Sequence, residues 1–192
     1  MVVRIMGYIL DKLKAGAASL DNKAIDSLLE HLRAAPAIYV NGAGRSGLVA
    51  RALAMRLMHL GLSVYVVGDT TTPAIRPGDL LLSISGSGET PSVRVVAEEA
   101  KRRGARLASL TATPDSSLAL LSDLVVYVPS HVVRSGEEDY LARQVAGAHE
   151  PLTPLGTAFE MMALVLCDSI VVALMQQLRR TEDDMAAKHS TL

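Results

Sequence analysis

Two glycine-and-hydroxyl segments carry the residue types that hold an anion: Asn41-Gly42-Ala43-Gly44-Arg45-Ser46-Gly47, the first turn, and Ser83-Ile84-Ser85-Gly86-Ser87-Gly88-Glu89-Thr90-Pro91, the second. Each follows a run of aliphatic residues. In the second turn, Gly86 and Gly88 let backbone amides approach a ligand closely, while Ser85, Ser87 and Thr90 add hydroxyl donors. Thr90 is a favoured helix N-cap and Pro91 suits the first helical position, so a helix is predicted to open into the same turn with its free amides facing the anion. In the first turn, Arg45 adds a cation and Ser46 a hydroxyl. The chemistry these residues suit is recognition of a phosphate.

The same residues admit two other readings. Gly42-x-Gly44-x-x-Gly47 after a strand is the dinucleotide-binding spacing, with Asp69 past the next strand as the ribose-binding acid. A bridging pyrophosphate needs one turn of this kind, however, and two hydroxyl-bearing turns suit a terminal phosphate dianion better. The Gly-Lys-Ser/Thr ending of a nucleotide P-loop is absent.

The elements that must position these turns alternate. Two helices are predicted first, Val3 to Ala18 and Asp21 to Ala34, the second with Asp21 as N-cap. Strands follow at Ala37–Val40, Val64–Val67, Leu80–Ile84, Leu107–Leu110 and Leu124–Val128. Between them lie helices at Leu48–Leu60 and Pro91–Arg103, the latter stopped by Gly104, and a short one at Ser116–Leu121. A polar stretch to Leu152 has no regular pattern, and a helix from Leu155 to Leu178 is apolar on nearly every face. The chain reads as one α/β domain over residues 1–192, divided into N-terminal helices (1–35), sheet and phosphate turns (36–128), an irregular link (129–154) and a C-terminal helix with its tail (155–192).

Composition agrees. A chain of 192 residues makes one core, and 49% hydrophobic content with 3% aromatic and no Trp gives that core an aliphatic character suited to a buried parallel sheet. A net charge of −1 excludes a general attraction to nucleic acid or anionic membranes, so the partner is a small anion held by local geometry. Cys167 is the sole cysteine, which excludes an internal disulfide and a cysteine-based metal knot and points to a cytoplasmic protein. The apolar Val2–Leu10 runs into Asp11, Lys12 and Lys14 and reads as a packed helix rather than a signal peptide. Met161–Met175 carries Asp168 at its centre, where a carboxylate costs ~3 kcal/mol in a bilayer, so a buried helix is predicted and not a membrane span. Such a helix cannot hide wholly within one subunit, which predicts self-association.

Residues Gly42 to Leu48, Ala54-Met55-Arg56-Leu57-Met58-His59 and Ser85 to Thr90 closely resemble the 6-phospho-3-hexuloisomerases of the sugar isomerase (SIS) domain group. The likeness continues in Thr111 to Ser117, in Pro154 to Glu160 and in His189 after Met185. The resemblance implies a flavodoxin-like α-β-α sandwich with a five-stranded parallel sheet, a homotetramer, and interconversion of D-arabino-3-hexulose 6-phosphate with D-fructose 6-phosphate, without metal or cofactor. It implies that Ser46 and the segment Ser85, Gly86, Ser87, Gly88, Glu89, Thr90 bind substrate, and that Glu160 is the proton acceptor. The chain departs from the family in a longer link, His131–Glu150, and in a tail, Lys188-His189-Ser190-Thr191-Leu192, that lacks the usual paired histidines and final acid.

Moving a ketone from C3 to C2 removes a carbon-bound proton, passes through an enediol and returns a proton to the neighbouring carbon. One carboxylate can do both. Glu160, flanked by Phe159 and Met161, has surroundings expected to raise its pKa toward the range of a general base; by spacing alone it could equally be a first-turn or interface carboxylate. His189 or Arg45 could serve the developing enediolate oxygens, with a solvated tail residue as the alternative for His189. His31 and His59 are expected at a core edge or in solvent, and His131 and His149 have no metal-ligand spacing. Cys167 reads as inert packing, Asp168 as a buried carboxylate paired across an interface, and Met55, Met58, Met161, Met162 and Met175 as core or interface filler.

Overall fold

The computed structural model describes residues 1–129 and 156–189; residues 130–154 of the predicted link, with His131, His149 and Pro154, then Leu155 and the last three residues lie outside the described residues. In chain order the elements are α1 (Val2–Ala17), α2 (Asn22–Ala34), β1 (Ile38–Gly42), α3 (Gly44–His59), β2 (Val64–Val66), β3 (Leu80–Ile84), α4 (Pro91–Arg102), β4 (Arg106–Thr111), α5 (Ser117–Leu121), β5 (Leu124–Tyr127), α6 (Thr157–Gln177) and α7 (Glu182–Ala186). Local chemistry explains their ends. The Asp21 carboxylate accepts from the Lys23 amide and starts α2, Ser116 does the same for α5 through the Ala119 amide, and Gly104, at φ +79°, stops α4. The short helix α7 was not expected; Thr181 and Asp184 cap it reciprocally, each side chain accepting from the other's backbone amide.

The five strands are all parallel, in the order β2-β1-β3-β4-β5. Alternate residues of each central strand feed two cores, as a period of two requires. Ile38, Val40, Leu80, Leu82, Ile84, Ala108 and Leu110 face a layer built by α2, α3 and α6, whereas Tyr39, Leu81 and Leu107 face α4 and α5. β3 is buried along its whole length because both faces are covered. The chain leaves β1 toward β2 on one side and resumes with β3 on the other, so the order reverses between β1 and β3. Ligands of open parallel sheets bind beyond the strand ends at such a reversal. Both turns start there, and register pairs Gly42 directly with Ile84.

α6 buries Phe159, Met162, Ala163, Leu166, Cys167, Ile170 and Leu174 against α3, α1 and α2, and leaves Leu164, Val165 and Val172 exposed. It is the one helix, among the described residues, long and apolar enough to cross a membrane, and half of its apolar window is buried inside the protein. Asp168 lies on the exposed stripe of this one chain, so no partner within the chain buries it. The helical period places it between Val165 and Val172, one turn from each, rather than beside the core-facing Cys167 face. Met55 and Met58 are likewise exposed on α3, while Met162 is core.

Candidate active site

The first turn is tighter than expected. α3 begins at Gly44, four residues before the predicted start, so Arg45, Ser46 and Gly47 form its first helical turn. The helix can start hard against the strand end because two glycines meet there: a Cβ on Gly47 would stand 2.8 Å from the Gly42 carbonyl oxygen. Ser46 is thereby buried at the helix N-terminus, and Arg45 projects outward. The cap residue of α3 is Ala43, which has no side-chain acceptor for the free amides.

The second turn, Ser85–Thr90, is held from behind. The Gly86 carbonyl accepts from the Ala112 amide (3.1 Å), Thr111 Oγ1 (3.3 Å) and Thr113 Oγ1 (3.2 Å), and the Gly88 carbonyl accepts from the Leu118 amide (3.1 Å). Ser85, almost fully buried, accepts from the Gly88 amide at 3.2 Å and lies 3.4 Å from the Thr90 hydroxyl; Ser87 accepts from the Glu89 amide. Thr90 and Pro91 start α4 as expected, but the Thr90 side chain does not cap the helix amides. Two helix N-termini without side-chain caps, those of α3 and α4, therefore open side by side at the reversal point, each carrying the partial positive charge of its aligned peptides.

A third helix end completes the site. Gly156, at φ +86°, caps α6, and Glu160 sits in its first turn. The Arg45 Nε donates to Glu160 Oε2 in an ion pair that joins α3 to α6. The carboxylate side chain is only 13% exposed against 60% for Arg45, so the pair closes one side of the site with the cation outward. The purely apolar surroundings expected from Phe159 and Met161 are thus corrected by the guanidinium. Phe159 packs its ring where a side chain on Gly86 would start, 3.1 Å from that Cβ position, and this contact pins the first turn of α6 onto the second turn.

The SIS domain family matches residues 31–133. The 3-hexulose-6-phosphate isomerase of Mycobacterium gastri is 39% identical over 187 residues, 97% of this chain and 89% of its own length. The enzyme of the same name from Bacillus subtilis is 35% identical over 184 residues, 96% and 95% of the two chains. This chain belongs to that family of SIS-domain isomerases. A crystal structure from Methanococcus jannaschii, from which a molecular function of 3-hexulose-6-phosphate isomerase was inferred, is 33% identical with a TM-score of 0.78, covering 99% of this chain and 98% of the other.

Within the SIS fold, the remaining expected residues take distinct places. Asp69, the ribose ligand of the dinucleotide reading, accepts from Arg51 of α3 at 2.8 Å and is held on the helix surface. His189 lies far from Glu160. Its ring is 5.3 Å from that of His59, at the C-terminal end of α3, about 20 Å along the helix from Ser46. His59 itself is buried, not at a core edge, and its Nδ1 has no partner. Burial pushes its pKa below the usual imidazole range, with His189 and Arg56 adding to the effect. His31 Nδ1 donates to the Ser27 carbonyl within α2. Among the described residues no group of three or more His, Cys, Asp and Glu side chains is placed to hold a metal. A cavity of about 360 Å³ lies between the 68–79 connection and α4, lined by apolar side chains such as Tyr39, Val67, Leu81 and Val96, and no predicted site residue reaches it.

Three residues with site roles escaped the sequence reading. Asn41, buried at the end of β1, donates to the Val93 carbonyl at 3.2 Å and ties the first turn to α4. Thr111 and Thr113 hold the Gly86 carbonyl. Their signal was the third hydroxyl-rich run after a strand, Thr111 to Ser117, whose strand neighbours β3 in the sheet.

Proposed function

We propose that this chain interconverts D-arabino-3-hexulose 6-phosphate and D-fructose 6-phosphate. The observation that carries the reading is the Arg45–Glu160 pair: it holds a largely sheltered carboxylate at the rim of two phosphate-suited turns, where the carbon chain of a sugar phosphate would lie. The phosphate sits over the α4 N-terminus, with the second-turn amides, Ser87 and Thr90 as donors and Ser46 completing the grip. Ser85 shapes the turn from inside. Glu160 takes the proton from C2 of the 3-ketose; the C2–H electron pair forms the C2=C3 bond and the C3 carbonyl oxygen becomes an enediolate. Glu160 then returns the proton to C3 while the O2 proton passes to O3, so that the ketone stands at C2 and C3 carries the hydroxyl. Arg45 donates hydrogen bonds to the negative oxygen without transferring a proton. His189, at the far end of α3, takes no part within one chain.

The exposed stripe of Leu164, Val165 and Val172 on α6, together with Leu48 and Met55 on α3, supports self-association, which we assign to a homotetramer.

The test is deuterium wash-in at C3 of D-fructose 6-phosphate in heavy water, followed by NMR. The wild-type protein exchanges C3 and produces the 3-ketose; Glu160→Gln slows both about 100- to 10,000-fold while still shifting the phosphate resonance on binding. A Glu160→Gln protein that exchanges at near full rate removes the carboxylate from the mechanism.

A further inference from the structure

Glu89 stands in the middle of the phosphate-suited turn, and a carboxylate there is an electrostatic puzzle, because an ionised acid beside a phosphate dianion repels it. The structure shows where the charge goes. One carboxylate oxygen accepts from the Ser117 amide at 2.6 Å and the other from the Ser117 hydroxyl at 2.8 Å, with Arg94 3.6 Å away. These bonds turn the side chain away from the α3 and α6 ends of the site and onto the first residue of α5. The same segment takes the carbonyls of the turn: Gly88 to the Leu118 amide, Gly86 to Thr111, Ala112 and Thr113. Every acceptor that the second turn offers its β4–α5 neighbour is thus drawn to one side. The Ser117 amide, above all, holds the Glu89 carboxyl below the usual carboxylate range, so it stays ionised and engaged at neutral pH.

We infer that Glu89 is a positioning residue and not a substrate ligand: its bidentate clamp on Ser117 draws these acceptors of the second turn toward α5 and leaves to the phosphate the donors that the turn does not use internally. This inference rests on the phosphate site proposed above and replaces direct substrate binding by Glu89. An acid that acted on the substrate would be indifferent to Ser117. An acid that acts through Ser117 must be coupled to it.

The test is a double-mutant cycle on the full chain, with binding of inorganic phosphate measured by calorimetry, kcat and KM measured for D-fructose 6-phosphate, and thermal melts as a check on folding. Glu89→Ala is expected to weaken phosphate binding about tenfold, the scale of one lost hydrogen bond to a charged group, and to raise KM in proportion with kcat nearly unchanged. Ser117→Ala produces part of the same loss, and the double variant is no weaker than Glu89→Ala alone. Glu89→Gln keeps an acceptor for the Ser117 amide, and the serine hydroxyl can turn to accept, so this variant binds within about twofold of wild type. Losses that multiply in the double variant, or Glu89→Gln as weak as Glu89→Ala, overturn the inference while leaving the phosphate site standing. A wild-type protein that binds no phosphate overturns both.

Discussion

Gly88→Ala separates the backbone demand of the second turn from its packing demand. Gly88 has φ +64°, and a Cβ there would stand 2.0 Å from Ser116 Oγ and 2.5 Å from Ser116 Cβ. Ser116 cannot easily withdraw, because it is 2% exposed and its hydroxyl caps α5 through the Ala119 amide. Left-handed backbone costs an L-residue about 1–2 kcal/mol. Forcing a methyl into a filled site costs about 1–3 kcal/mol more. For a chain of this size each kcal/mol lowers Tm by about 2–4 °C, so Gly88→Ala is expected to melt roughly 4–20 °C lower. Gly78→Ala isolates the first contribution, since Gly78 has φ +87° with nothing within 4 Å of its Cβ position; its melt falls by only about 2–8 °C. Gly88→Ala combined with Ser116→Gly restores the steric part, because glycine at an N-cap costs only a few tenths of a kcal/mol. Calorimetric melts of the four proteins decide the matter. Equal melting of Gly88→Ala and Gly78→Ala, or no recovery in the double variant, refutes the claim that Ser116 fills the space behind the turn.

Two further outcomes follow from buried titratable groups. The unfolded chain protonates His59 as pH falls through about 6.5, whereas the folded chain resists until a lower pH. The unfolded state then binds more protons, so stability falls from about pH 6.5 downward through that window; urea midpoints at pH 7.5 and 5.5 should differ less in His59→Gln than in wild type, and an unchanged difference refutes the assignment. Burial, with Asp168 next in effect, pushes the Cys167 thiol up to about 12. A thiol reagent at pH 8 is expected to modify it only as fast as the protein unfolds, and modification at the rate of a free thiol in native buffer would show that α6 opens there.

Much of this protein is legible in its sequence because the signals are local. Asp21 and Ser116 as caps, Gly104 as a stop, the buried run Leu80–Ile84 and the hydroxyl turn ending in Thr90-Pro91 each depend on neighbours within a few residues, and the structure has them at or within a few residues of the expected places. The anion-suited character of the turns is local too, since glycine supplies approach and serine supplies donors wherever the chain places them. The start of α3 was misplaced because glycines read as loop, whereas here they admit a helix against a strand end.

The partners of those residues were decided only by tertiary structure. Nothing in the spacing of Arg45 and Glu160, 115 positions apart, announces an ion pair. It exists because the sheet order 2-1-3-4-5 puts two turns at one reversal point and the long helix returns across α3 to meet them. The same folding turned Glu89 onto α5, carried His189 to the wrong end of α3 for its own site, and set Asp168 on the exposed stripe of α6. Composition and periodicity decide which residues are buried and which backbones bend; long-range contacts decide which charges meet, because pairing energy depends on distance in space and not along the chain.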